Sequence, residues 1–198
     1  MAARREPHQV RITLNAPVVL AFVALCTAAT LMGQVTNGRA TMALFATYRS
    51  SLLNPLTYLR LFTHVLGHSG WAHLVGNMVY VLLLGPLLEE KYGSRALAGI
   101  IAVTALATGL VNAALFPHVA LCGASGICFA FILLSSLTSF REGEIPLTFI
   151  LVALLFLGQE VVQGVMVQDD VSNLSHVIGG LIGAGMGFAQ RDMPRRGA

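Results

Sequence analysis

Long apolar runs, interrupted by short charged clusters, organise this chain. Six charge-poor segments stand out, at 17–35, 71–88, 96–116, 125–140, 146–163 and 172–190. Each reads as a transmembrane helix, since about 20 apolar residues cross about 30 Å of hydrocarbon. The uncharged run from Ala96 to Phe140 is too long for one helix, and Phe116-Pro117-His118 divides it, because proline interrupts helical hydrogen bonding. The predicted fold is therefore an all-α polytopic membrane protein with six helices and short connections.

The connections alternate in character. Arg4, Arg5 and Arg11, the loop from Glu89 to Arg95, the turn Arg141-Glu142-Gly143-Glu144 and the tail from Arg191 to Arg196 fall on one side. By the positive-inside rule that side is the cytoplasm, with both chain ends on it: a segment of about residues 1–13 and a tail of about 191–198. The expected location is the cell (inner) membrane. Arg4, Arg5 and Arg11 ahead of the apolar stretch Val18 to Met32, with Ala28 and Ala29 inside it, also fit a signal peptide. A retained first span is favoured, because removing it would leave five spans and break the alternation. The opposite side holds 36–70, the turn at Pro117-His118 and a loop from Gln163 to Asp170. Arg39, Arg49 and Arg60 lie in the first of these, against the charge rule, and Leu52-Leu53, Leu56 and Leu59-Arg60-Leu61-Phe62 make it too apolar for a free linker. It is expected to embed partly in the outer leaflet or pack on the helices, with its arginines at the interface.

Composition supports this reading. Of 198 residues, 56% are hydrophobic and 11% charged, with mean hydropathy +0.75, too little polar surface to clothe a water-soluble domain. The net charge of +3 comes from span boundaries, so it is a topology signal and nucleic-acid binding is not expected. Cys26, Cys122 and Cys128 are odd in number and set in apolar stretches, which does not suggest a disulfide framework. No internal repeat supports an inverted-repeat transporter.

Chemistry enters through residues that share a depth. His73 lies 16 residues before Glu89, Ser125 lies 16 before Arg141, and His176 lies 15 before Arg191. In straight helices all three sit roughly 22 to 24 Å above the cytoplasmic boundary. Intramembrane histidines are costly and face a protein interior or cavity. Gly123-Ala124-Ser125-Gly126 forms a small-residue start to a helix, where free N–H groups and the dipole favour an oxyanion. Ser125 can equally be read as a helix cap, and the glycines as packing residues. His176 precedes Gly179 and Gly183, a small-residue face that allows close approach to Gly126 and Ala130 of the fourth helix and so brings base to nucleophile. Its alternative is a structural histidine bonded to a carbonyl. No acidic residue shares this depth, which favours a dyad over a triad. His73 and Asn77 share a helical face and both can donate to an oxyanion, although Asn77 lies a turn deeper and needs helix tilt. His64 and His68 could be metal ligands, but no acidic or Cys third ligand is near; hydrogen bonding within the outer loop is the favoured role.

Taken together, Phe62-Thr63-His64-x-x-x-His68-x-x-x-x-His73-x-x-x-Asn77, Gly123-Ala124-Ser125-Gly126 and His176-x-x-Gly179 resemble the successive signatures of rhomboid intramembrane serine proteases, over about residues 14–190. The resemblance implies a single rhomboid membrane domain over 1–198, a six-helix bundle with a partly embedded outer loop 1. It implies Ser125 as nucleophile on a short fourth helix, His176 as base on the sixth, and an oxyanion hole of His73, Asn77 and the Ser125 backbone N–H. The fifth helix and the loop from Gln163 to Asp170 would gate and cap the site, and Glu89 would be a structural carboxylate. The substrates implied are single-pass or polytopic membrane proteins arriving from the lipid bilayer, with no cofactor. Two positions depart from the family pattern: Phe129 stands where many rhomboids have tyrosine, and Leu59-Arg60 where a Trp-Arg pair is usual. The rival classes are a rhomboid-like binder without catalysis and a small transporter that moves protons on its histidines.

Overall fold

The computed structural model describes residues 14–137, 144–167 and 170–189, leaving out the side chains of residues 157 and 159–172. The arginines before residue 14, Arg141 to Gly143 and the tail from 191 lie outside the described residues. The described chain is helical: α1 (Pro17–Val35), α2 (Arg39–Leu44), α3 (Pro55–Thr63), a 3-10 turn (His64–Leu66), α4 (Trp71–Tyr92), α5 (Ser94–Leu115), α6 (Ser125–Ser136), α7 (Leu147–Val167) and α8 (Asp170–Ala189). Among the described residues, α1, α4 and α5 are long and apolar enough to cross a membrane, at mean hydropathies of 2.1, 1.5 and 1.9. Leu25, Leu83, Val103 and Leu155 are among the many large apolar side chains that point outward, as lipid-facing helices require.

Helix α1 begins at Pro17, a residue suited to a first turn. Its free N–H groups are capped from another helix: the Glu89 carboxylate accepts from Val18 N and Val19 N, each at 3.0 Å, and from Ser94 Oγ at 2.7 Å. Glu89 is buried, and its charge sits at the positive end of the α1 dipole. One carboxylate thus joins α1, α4 and the start of α5 at one end of the bundle.

Helix α6 has only 12 residues, roughly 18 Å of rise, and it ends at Ser136, short of the expected Phe140. It is apolar on every side, with Ile127, Ala130, Phe131, Leu133 and Leu134 buried, the pattern of a helix enclosed by others. Helix α8 lies against it through small residues. A Cβ on Gly179 would sit 1.9 Å from the Gly126 carbonyl oxygen, and one on Gly183 would sit 2.1 Å from that of Ala130. The face expected from the glycine spacing is the face that packs.

The 36–70 segment is built rather than loose. Asn54 caps α3 by accepting from Leu56 N at 3.0 Å. Thr47 and Leu121 form an antiparallel bridge, with both N–H···O distances 2.9 Å. Two expectations need correction. Arg60 is not at an interface: it is 3% exposed, lies over the Tyr48 ring, donates to the Tyr48 hydroxyl and gives its Nε–H to Leu56 O at 2.9 Å. Internal oxygens and a ring face replace the water it would otherwise need. The loop expected from Gln163 is helical through Val167; no proline falls there, and Gly164 does not stop the backbone ladder.

Candidate active site

Ser125 is the first residue of α6, preceded by Ala124 as N-cap with no side-chain cap bond, so Ser125 itself is not the capping residue. The turn into it is held from outside: Gly123 N donates to His64 O at 3.0 Å, and the Thr47–Leu121 bridge fixes the strand of chain before it. Gly123 has φ +127, a conformation that L side chains rarely adopt. It also has no room for one, since a Cβ there would lie 2.8 Å from His73 Nε2 and 3.7 Å from Asn77 Nδ2. Both proposed oxyanion donors therefore face the turn, and the expected difference in their depth does not keep either away.

His176 is carried by α8 to the same region. Phe129 stacks on its ring, with centroids 4.3 Å apart and planes 4° from parallel. Phe129 follows Ser125 by one helical turn, so both occupy one face of α6. The neighbours of the pair also meet, since the Gly126 Cβ position is 3.3 Å from Ser175 O. Phe129 in turn meets Phe156 of α7 edge-on at 5.9 Å.

Asn77 is buried, and Cys128 Sγ lies 3.7 Å from its Oδ1 and 3.4 Å from its backbone oxygen. The amide nitrogen has no hydrogen-bond partner among the described residues. A thiol can donate only to the carbonyl side, which leaves Nδ2–H directed to the turn. Cys128 escaped the sequence reading, although its place three residues after Ser125 puts it on the adjoining face of α6. Ser69 escaped it too: its N–H lies 3.5 Å and its hydroxyl 3.2 Å from His73 Nδ1.

His64 and His68 serve the loop. His64 Nδ1 bonds Arg60 O at 3.1 Å and Nε2 lies 3.2 Å from Thr108 Oγ1, while His68 Nδ1 bonds Leu66 O at 3.1 Å. Carbonyls only accept, so both rings are protonated on Nδ1. Burial lowers each to about 4, the neighbouring His73 adding to the effect at His68, and both are neutral at neutral pH. The His68 ring meets His73 edge-on at 4.9 Å. Among the described residues no three His, Cys, Asp or Glu side chains gather as a metal set. A cavity of about 520 Å³, lined in part by Asn37, Gly38, Thr41, His68, Ser69 and Cys122, adjoins the turn on the side of α1 and α2.

The arrangement can do acyl chemistry: a hydroxyl at a helix start, an imidazole on the facing helix, and two side-chain donors converging on the glycine before them. A family model described as the rhomboid domain matches residues 55–192, a stretch that contains every one of these groups. No curated protein matches the chain in sequence.

Proposed function

The chain belongs to the rhomboid family, and we propose that it is an intramembrane serine endopeptidase with Ser125 as nucleophile and His176 as base. The observation that carries this reading is the register of α6 against α8: Gly126 touches Gly179 while Phe129 stacks on His176, so the face bearing Ser125 is the face that meets the base. In the proposed topology six helices span the membrane, both chain ends are cytoplasmic, and the site opens near the outer surface.

In the reaction, His176 takes the Ser125 hydroxyl proton as Oγ attacks the scissile carbonyl of a substrate transmembrane segment. The carbonyl oxygen gains negative charge and accepts hydrogen bonds from His73, Asn77 and the Ser125 N–H. Collapse breaks the C–N bond, and His176 returns the proton to the leaving amine. Water then attacks the acyl carbon, giving its proton to His176, and Ser125 leaves protonated. The cavity beside Ser69 and Cys122, which adjoins the turn before Ser125, is the proposed way in for water. Substrate segments that unwind easily are preferred, because a helix engages the carbonyls that must be attacked.

The test uses detergent-solubilised protein, a fluorophosphonate probe and a single-span reporter. Ser125→Ala and His176→Ala are each expected to lose labelling and cleavage. Labelling of wild type, Ser125→Ala and His176→Ala alike overturns the dyad. Binding of the reporter without cleavage by wild type would instead mark a non-catalytic member of the family.

A further inference from the structure

We propose that Ser69 is a positioning residue that holds His73 in the tautomer carrying its proton on Nε2; the inference rests on the serine-protease reading above. Ser69 stands two residues before α4, and both its polar groups address one atom, His73 Nδ1: the backbone N–H at 3.5 Å and the hydroxyl at 3.2 Å. A backbone N–H can only donate, so Nδ1 is the acceptor. In a neutral imidazole the proton then belongs to Nε2. That nitrogen is the one next to Gly123, 2.8 Å from where a Cβ would stand. An acceptor nitrogen there would repel an oxyanion, whereas an N–H stabilises it.

Geometry separates His73 from its neighbours. His64 and His68 each address a carbonyl through Nδ1, which sets the opposite tautomer. Of these three rings, His73 alone meets a donor at Nδ1, and it is the ring that faces the serine turn. The competing account is that His73, in the first turn of α4, merely satisfies a free N–H at the helix start, as a capping-box side chain does. The two accounts differ in what Ser69 governs: rate in the first, stability in the second.

The experiment measures kcat and KM for the single-span reporter, and thermal unfolding in detergent, for Ser69→Ala, Ser69→Thr, His73→Ala and the Ser69→Ala/His73→Ala pair, with Ser125→Ala as reference. Removing the hydroxyl leaves only the longer N–H contact, and kcat is expected to fall about 5- to 10-fold with KM and unfolding temperature unchanged. Ser69→Thr is expected to restore the rate, and Ser69→Ala to add nothing once His73 is gone. An unchanged kcat in Ser69→Ala, an equal loss in the His73→Ala background, or a loss that follows unfolding temperature overturns the proposal. Cleavage that survives Ser125→Ala overturns the protease reading and this inference with it. Cleavage abolished in Ser125→Ala but untouched in Ser69→Ala overturns this inference alone.

Discussion

Adding one methyl group at Gly179 tests the proposed site at the contact that aligns it. A Cβ there would lie 1.9 Å from the Gly126 carbonyl oxygen, 2.7 Å from its carbon and 3.0 Å from its Cα. Even a favourable C···O contact needs about 3.3 Å, so α6 and α8 must part locally by about 1.4 Å. The obstruction is backbone on both sides, and no side chain can rotate out of the way. Overpacking of this kind costs about 1–3 kcal/mol. The effect on catalysis is larger, because a misplacement of about 1 Å between reacting groups lowers rate about 100-fold. Gly179→Ala is therefore expected to unfold at lower temperature in detergent and, at a temperature where it remains folded, to cleave the single-span reporter about 100-fold more slowly. Gly185→Ala is the control on the same helix: nothing lies within 4 Å of its Cβ position, and it should match wild type in both assays. If Gly179→Ala is as active and as stable as Gly185→Ala, the close α6–α8 contact does not align Ser125 with His176, and the argument from register fails.

Two further substitutions test the supports of the site. Phe129→Ala removes the ring stacked on His176, an interaction of about 0.5–1.5 kcal/mol. It should lower kcat up to about tenfold, while Phe129→Tyr, which keeps the stack, stays within about twofold; equal rates in Phe129→Ala and wild type would show that the ring does not orient the base. Glu89→Gln removes the charge at the α1 terminus and turns one of its two acceptor atoms into a donor facing N–H or hydroxyl groups. It is expected to destabilise the protein by about 1.5–3 kcal/mol while leaving kcat of the folded fraction unchanged, read by thermal unfolding and by reporter cleavage well below the transition. An unchanged unfolding temperature would contradict the bridging role.

Much of the bundle was legible: the charges from Glu89 to Arg95 marked the junction of α4 and α5, Pro117 divided the longest run, and the glycine spacing on α8 foretold its contact with α6. What stayed hidden depended on partners distant in sequence. Arg60 looked like an interface residue until Tyr48 and Leu56 O supplied its surroundings. Helix α6 ends at Ser136, before the expected end at Phe140, because an apolar run has the same pattern whether it touches lipid or other helices, and the apparent loop at 163–167 carried no charge or proline to decide it. Ser69 and Cys128 were missed for a different reason. Neither residue type marks a site by itself, and each acquires a role only through the orientation of a His73 or Asn77 side chain.

Two buried asparagines show how that orientation separates structure from chemistry. Asn112 spends its amide hydrogens on Thr47 O at 3.0 Å and Val119 O at 3.1 Å, so it ties α5 to the loops beside the serine turn and has no donor left to offer. Asn77 is buried as well, but Cys128 engages its oxygen side and its amide nitrogen has no hydrogen-bond partner among the described residues. A buried donor without an acceptor costs about 1–3 kcal/mol in the resting protein. An oxyanion formed beside Gly123 would recover that cost, and only once negative charge has developed there. A ground-state carbonyl would recover less. On the proposed serine-protease reading, Asn77, unlike Asn112, is therefore placed to bind the transition state more tightly than the substrate, which is what lowers a barrier.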